Sequence, residues 1–289
     1  MARYCISTDS GCDLPISLLE ERDIVPLHME YIIDETPYED TMRPEDCKAF
    51  YGLMRAGKVP HTSQINVVKF TEFWEGMLER GLPIVHICMG SGISGTFNNA
   101  QTAAEMFRED HPDTPIYLVD STLASTGYGM LALKAADMRD VDCTPEECVK
   151  WLEENKANVN TYYTTSDLTY LYRSGRVSRT GMVVAHALNI NPILNLDVGG
   201  HLIVTEKVRG QKATEKKIEN IIKELAVEPE NQTLFICHSD ILEDAQRFGE
   251  KLREDIGFKD VYYTYIGTTI GTNCGPGLKA AFFFGKPRI

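Results

Sequence analysis

The chain has 289 residues, enough for two domains of roughly 150 residues each or for one large domain. Hydrophobic residues make up 43% of the sequence and charged residues 25%, which excludes a disordered or collagen-like chain. The formal net charge is −13, and a field of this sign repels nucleic-acid backbones and anionic bilayers. We therefore expect a globular protein that does not bind nucleic acid.

The sequence also argues against membrane insertion and against a metal centre. No apolar run approaches the roughly 20 residues that span a bilayer, and Met1 to Asp9 lacks the apolar stretch of a signal peptide. The eight cysteines are far apart, and the seven histidines show no HExxH spacing. We expect a cytoplasmic protein with free thiols, no bound cofactor, no metal site and no integral membrane association.

The first half of the chain alternates short apolar runs with helical patterns, which is typical of βαβ units and a parallel sheet. A Thr-Pro-Glu-Glu capping box at residues 144–147 marks one helix start. The predicted elements, in chain order, are a strand at 3–8, a helix from Pro15, a strand at 25–33, a turn-rich stretch around 34–37, a helix capped by Asn66, a strand at 84–89, a helix at 94–108, a strand at 116–119, a helix at 126–138 and a helix from 144.

Beyond about Asn160 the pattern changes. Apolar runs at 193–196 and 202–208 flank a Gly199-Gly200 turn and predict a β-hairpin. An amphipathic helix around 218–225, a strand at 233–238, a helix at 242–256, a strand at 261–265 and an apolar run at 280–284 follow. The sequence thus predicts an α/β protein with a Rossmann-like parallel-sheet domain at 1–159 and an α+β domain at 160–289.

The glycine-rich segment at residues 90–96 lies between a predicted strand and a predicted helix. Small residues let a ligand approach the backbone, and a helix start presents unpaired N–H groups to an anion. The hydroxyls of Ser91, Ser94 and Thr96 add donors. The same residues are equally interpretable as a plain helix cap.

This segment also matches the GxGxxG pattern of dinucleotide-binding folds, and Asp120 follows at the end of the next predicted strand. A nicotinamide-dependent oxidoreductase is therefore one alternative. Against it, the match lies outside the first βαβ unit, and Asp120-Ser121 is equally interpretable as a turn.

Three further loops carry polar or conformationally special residues. Residues 61–64 place four polar side chains ahead of a helix, and 270–277 contain three glycines and a proline. Residues 170–179 bring three arginines together after a short helix, a pattern that either holds a carboxylate or phosphate or is a solvated surface loop. No Ser/His/Asp arrangement or carboxylate pair is identifiable, so no catalytic residue is predicted.

Taken in order, these loops resemble the DegV family of bacterial fatty-acid-binding proteins, over essentially the whole chain. The residues that carry the resemblance are Thr8-Asp9-Ser10 with Asp13-Leu14, residues 62–64, 91–96 and 171–176, Arg209-Gly210 with Lys212-Ala213, and residues 270–277.

The resemblance implies a long-chain fatty acid in a buried tunnel between the two domains, with its carboxylate at the mouth. The family's carboxylate contacts map onto Thr62 and Ser94, with support from Ser63 and Arg176. From the same loops we include three more candidate ligand-binding residues, which are Gly95, Thr96 and Asn273.

The resemblance also implies a partner. In relatives that work with a fatty acid kinase, a separate ATP-binding subunit phosphorylates the bound acid to an acyl phosphate, and Arg209 matches a position associated with docking to it. This chain would then be a carrier subunit and not an enzyme. Asn273 stands where the family usually has histidine, and asparagine does not take a proton near neutral pH. A carrier or sensor of another amphiphilic acid, without a kinase, is therefore a second alternative.

Overall fold

The computed structural model describes residues 3–177 and 190–289. The strands in this part of the chain are β1 (Cys5–Asp9), β2 (Ile24–Leu27), β3 (Glu30–Ile33), β4 (Thr36–Glu39), β5 (His61–Thr62), β6 (Ile84–Cys88), β7 (Ile116–Asp120), β8 (Val159–Thr164), β9 (Ile190–Leu196), β10 (Leu202–Arg209), β11 (Thr233–His238), β12 (Asp260–Tyr265) and β13 (Lys279–Phe284). The helices are α1 (Ile16–Glu21), α2 (Pro44–Arg55), α3 (Val67–Glu75), α4 (Thr96–Asp110), α5 (Thr126–Asp140), α6 (Pro145–Asn155), α7 (Thr169–Arg173), α8 (Gln211–Leu225), α9 (Leu242–Ile256) and α10 (Thr268–Cys274).

A parallel sheet of four strands, in the order β2-β1-β6-β7, organises the first half of the chain. Every residue of β1 and β6 is buried. Strands covered on both faces bury the side chains on both sides, and the polar side chains of Ser7 in β1 and His86 in β6 contact each other, with Ser7 Oγ 2.8 Å from His86 Nδ1. The predicted parallel-sheet architecture is confirmed.

A second, mixed sheet has the strand order β10-β9-β8-β13-β11-β12, in which only β11 and β12 pair in parallel. The predicted hairpin is confirmed as β9 and β10, and its turn includes Gly200 at φ +83°. The α/β fold with two sheet domains therefore follows the prediction. The domain boundary after residue 159 stays a prediction.

The predicted single strand at 25–33 is wrong. It is two strands, because β2 joins the parallel sheet while β3 leaves it for a small sheet of order β4-β3-β5. The break falls at His28 and Met29, where the Met29 amide donates to Ser10 Oγ at 3.0 Å. Residues 61–64, which were predicted to be a loop, are partly strand, because His61 and Thr62 form β5 and pair with β3. Helix α2 was not predicted.

Helix α5 packs between the two large sheets and joins them into one core. All residues from Thr126 to Ala132 are buried. Glycines permit this close packing, because a Cβ at Gly129 would lie 2.8 Å from the Cys12 carbonyl oxygen and one at Gly127 would lie 3.3 Å from Phe282 Cδ1. The first half of α5 is therefore buried on all sides and has no polar face, whereas Asp137 and Asp140 near its end are exposed.

Two predicted helix starts are confirmed by their hydrogen bonds. The Lys69 amide donates to Asn66 Oδ1 at 2.8 Å at the start of α3. The Glu147 amide donates to Thr144 Oγ1 at 3.2 Å, and the Thr144 amide donates back to the Glu147 carboxylate at 2.8 Å. None of the helices within residues 3–177 and 190–289 is both long and apolar enough to cross a membrane.

Candidate functional site

A cavity of about 200 Å³ lies between the two halves of the chain. Six polar residues that line it, here called the polar wall, are Thr62, Ser63, Gln64, Ser94, Arg176 and Asn273. Four buried residues with polar side chains, Ser125, Tyr163, Thr269 and Cys274, line it as well. The apolar side chains that line it are Met29, Met89, Ile93, Ala124, Leu171, Leu194, Leu196, Leu202, Ile266, Ile270 and Leu278. Such a combination of an apolar chamber and a few polar groups is typical of sites for amphiphilic small molecules.

The structure brings together most of the residues that the sequence singled out. Thr62, Ser63, Ser94, Arg176 and Asn273 all line the cavity, although they come from four separate segments of the chain. Thr62 and Ser94 are half-buried, whereas Ser63 is exposed. The hydroxyl-bearing segments therefore lie where the cavity meets solvent. Their role in ligand binding stays a prediction.

The two remaining candidates support Ser94 and do not line the cavity themselves. Ser94 Oγ lies 2.9 Å from Thr96 Oγ1 and accepts a hydrogen bond from the Thr96 amide at 3.2 Å. Thr96 is buried at the first position of α4, and Gly95 precedes it. Ser94 thus satisfies a free amide at the helix start and also faces the cavity, so capping and ligand contact are compatible at this residue.

Arg176 is a half-buried cation in the cavity wall. One of its guanidinium nitrogens donates to the Ser174 carbonyl, and burial lowers the pKa of the guanidinium. Among the described residues, no carboxylate lies within ion-pair distance of it. A guanidinium in this setting can bind a carboxylate through paired hydrogen bonds. Of the other two clustered arginines, Arg173 is exposed and Arg179 lies outside the described residues.

The glycine-rich stretch at 270–277, which was predicted to be a loop, is partly helical. Its first five residues belong to α10, which ends at Cys274 before Gly275 at φ +74°. Asn273 Nδ2 donates to the Thr269 carbonyl oxygen at 3.0 Å. Gly271 is required for packing, because a Cβ there would overlap the Tyr51 hydroxyl. The small residues therefore let a short helix approach the other half of the chain.

Two buried carboxylates hold the start of α10. Asp13 Oδ1 accepts from the Gly267 amide at 2.8 Å, and Asp40 Oδ2 accepts from the Thr269 amide at 3.1 Å. Burial raises the pKa of both carboxyl groups. In the sequence Asp13 stands out only as part of a motif and Asp40 does not stand out at all, since contacts over 254 and 229 residues leave no local signal.

The geometry of the glycine loop argues against dinucleotide binding. A Cβ at Gly92 would lie 2.5 Å from the Gly199 carbonyl oxygen, and one at Gly90 would lie 2.7 Å from the Leu123 amide nitrogen. The space over the loop is thus filled by the β9–β10 turn at Gly92 and by residues 122–123, which follow β7, at Gly90. The Asp120 carboxylate accepts from the Ser91 amide at 3.0 Å and from Ser91 Oγ at 2.6 Å. The GxGxxG match and Asp120, the two features that suggested nicotinamide binding, are therefore both explained by contacts within the protein.

A family model described as "Uncharacterised protein, DegV family" matches residues 3–286. The chain belongs to the DegV family. A DegV domain-containing protein from Clostridium perfringens (strain 13 / Type A) is 37% identical over 289 residues, which is 100% of this chain and 99% of that protein. The family assignment suggested by the ordered loops is confirmed.

Two solved DegV structures share the fold. A DegV lipid-binding protein from Thermotoga maritima is 29% identical, with a TM-score of 0.85 over 99% of this chain and 100% of that chain. DegV from Bacillus subtilis, described as a fatty-acid-binding protein, is 27% identical, with a TM-score of 0.84 over 98% of this chain and 100% of that chain. Both are described as binding proteins, and no catalytic family is indicated for this DegV chain.

Proposed function

We propose that this DegV protein binds a long-chain fatty acid in the cavity between its two halves. The observation that carries the proposal is a single cavity that combines many apolar side chains with the hydroxyls and the guanidinium of the polar wall. The binding of lipid and of fatty acid described for the two solved relatives supports it.

The carboxylate would lie at the polar wall. The hydroxyls of Thr62, Ser63 and Ser94 donate hydrogen bonds to it, and Arg176 supplies the compensating charge. Asn273 contributes an amide, while Gly95 and Thr96 hold the loop that carries Ser94. In a chain of net charge −13, a half-buried cation without a described counter-ion favours an anionic ligand at this point.

The alkyl tail would occupy the apolar chamber. Burial of a methylene contributes about 0.8 kcal/mol, so about 15 methylenes contribute about 12 kcal/mol before the costs of binding are subtracted. A ligand held this strongly is expected to stay bound during purification. Native and denaturing mass spectrometry of the purified protein should therefore detect one fatty acid per chain.

The carboxylate assignment is tested by the double variant Thr62→Ala/Ser94→Ala. We expect this variant to fold, with a loss of about 1 kcal/mol in stability because the Thr96 amide loses the Ser94 acceptor, and to lose most of its bound fatty acid in native mass spectra. The matched control is Thr71→Ala/Thr102→Ala, which removes two hydroxyls that bond only to their own helices. Unchanged lipid occupancy in the folded Thr62→Ala/Ser94→Ala variant would overturn the carboxylate site.

We further propose that the protein presents the bound acid to a separate ATP-binding fatty acid kinase subunit, as a cytoplasmic carrier. In that step a carboxylate oxygen attacks the γ-phosphorus of ATP, so an acyl phosphate forms and ADP leaves. Arg209 is exposed at the end of β10, and Leu202 at the start of the same strand lines the cavity. A partner that docks along β10 would therefore reach the polar wall.

The kinase proposal is tested by mixing the protein with such a subunit, ATP and fatty acid, and by trapping acyl phosphate with hydroxylamine. Arg209→Ala should lower the rate, whereas Lys207→Ala, an exposed cation on the same strand face, should not. Asn273 favours the alternative of a carrier or sensor without a kinase, because it lacks a titratable proton. Absence of acyl phosphate with both the wild type and Asn273→His would support that alternative.

A further inference from the structure

The two hydroxyl-bearing segments of the polar wall come from different parts of the fold. Thr62 belongs to β5, which pairs with β3, whereas Ser94 lies in the loop before α4. Hydrogen bonding by both hydroxyls to one carboxylate requires their spacing to be held within a fraction of an ångström. A group that links the segments would therefore control the affinity for the carboxylate.

Asn99 on α4 makes this link. Its Nδ2 donates to the Ile65 carbonyl oxygen at 2.8 Å and lies 3.4 Å from Gln64 Oε1. Asn99 is half-buried and does not line the cavity. It therefore ties the segment that follows Thr62 to helix α4, which begins two residues after Ser94.

A second contact joins the same two segments. The Gln64 side chain lies directly on Gly95, since a Cβ there would be 2.7 Å from Gln64 Nε2 and 2.8 Å from Gln64 Oε1. The backbone of Gly95 has φ −73°, which any residue can adopt. Glycine at this position allows the close approach of Gln64 and is not required for the shape of the loop.

We propose that Asn99 is a positioning residue, which sets the spacing between Thr62 and Ser94 through Ile65 and the Gln64 side chain. It acts through these residues and does not touch the ligand. The inference rests on the proposed binding of a fatty-acid carboxylate. It predicts that loss of the Asn99 amide affects recognition of the acid head group and leaves recognition of the tail unchanged.

The test compares hexadecanoic acid with hexadecan-1-ol, which has the same tail and no carboxylate. In Asn99→Leu, which keeps the side-chain size and removes the donor, we expect about a tenfold loss of affinity for the acid, the equivalent of one charge-assisted hydrogen bond. The affinity for the alcohol should change less than about twofold. Asn98→Leu is the matched control, because Asn98 is the exposed neighbour on the same helix.

A double-mutant cycle tests the Gln64 contact separately. Gly95→Ala displaces only the end of the Gln64 side chain, so the variant should fold and bind the acid several-fold more weakly. In a Gln64→Ala background the same substitution should have no further effect, because the obstructed side chain is absent. An equal loss in both backgrounds would mean that Gly95 acts without Gln64 and would contradict the proposed linkage.

Failure of this inference is distinguishable from failure of the proposed function. If the delipidated wild type binds the alcohol as tightly as the acid, the carboxylate site itself is wrong. If the wild type prefers the acid and Asn99→Leu keeps that preference, only the positioning role of Asn99 is wrong. Equal loss of affinity for both ligands in Asn99→Leu would indicate a general structural role and would also overturn it.

Discussion

The Asp13 carboxylate accepts a hydrogen bond from the Gly267 amide at 2.8 Å, and 254 residues separate the two along the chain. Its other oxygen accepts from the Ser125 hydroxyl. Gly267 is the N-cap of α10, which carries Asn273 and Ile270 in the cavity wall. One buried side chain of the first half therefore orients part of the ligand site in the second half.

Replacement of Asp13 by alanine should destabilise the protein and loosen α10. The Gly267 amide and the Ser125 hydroxyl would lose their acceptor in the protein interior, which costs about 1–3 kcal/mol for each group. We expect a loss of about 2–4 kcal/mol in the free energy of unfolding, measured by urea denaturation of the delipidated protein. Fatty-acid affinity should fall as well, and full stability of Asp13→Ala would show that the contact has no structural role.

Asp9 should make stability depend on pH in a direction opposite to that of an ordinary ion-paired carboxylate. Burial raises its pKa to about 6, against hydrogen bonds from Tyr128 and Met89 that lower it. In the unfolded chain the group ionises near pH 4, whereas in the folded protein it ionises only near pH 6. The free energy of unfolding therefore falls as the pH rises between these values, by about 3 kcal/mol at most.

This pH dependence is measured as the difference between the wild type and Asp9→Asn. The variant has a lower free energy of unfolding than the wild type at low pH, because the Met89 amide loses an acceptor. Since asparagine does not ionise, the stability of the variant has no pH dependence from residue 9. The difference in free energy of unfolding between the wild type and Asp9→Asn should therefore become smaller as the pH rises from about 4 to about 6. His86 and His238, whose pKa values burial lowers to about 3 and about 4, contribute equally to both proteins and cancel. A constant difference over this range would rule out the raised pKa of Asp9.

Arg176→Met should reduce fatty-acid affinity by about tenfold or more without loss of stability. The guanidinium has no carboxylate partner among the described residues, so its removal breaks no ion pair there. A ligand carboxylate, in contrast, would lose a charge-assisted contact. Isothermal titration of the delipidated protein gives the affinity, and Arg173→Met, at an exposed position of α7, is the control. Equal effects of the two substitutions would argue against a carboxylate contact at Arg176.

Gly92→Ala should displace the β9–β10 turn. The added Cβ would lie 2.5 Å from the Gly199 carbonyl oxygen, and overpacking against backbone costs about 1–3 kcal/mol. Gly52→Ala is the matched control, because a Cβ at this position within α2 meets nothing within 4 Å. We expect it to be neutral or to stabilise the protein by up to about 1 kcal/mol. Equal thermal stability of the two variants would contradict the close packing of the turn on the glycine loop.

Much of the secondary structure could be predicted from local patterns. Strand β11 and helix α9 have the predicted bounds, and Asn66 and Thr144 cap the helices that they were expected to cap. Residues 25–33 and 270–277 were interpreted wrongly. In the first case an apolar run continues across a change of sheet, and in the second a helix of only seven residues contains Gly271, where a Cβ would overlap Tyr51.

The sequence by itself determined the order of most strands and helices, because apolar periodicity and helix caps act over a few residues. Through its family resemblance it also indicated which loops would form the site. Only the tertiary structure decided what fills the space above Gly92, which carboxylates hold α10, and that Thr62 and Ser94 face one cavity. These features depend on how two sheets pack across α5, and contacts between residues far apart in the chain leave no periodic signal in the sequence.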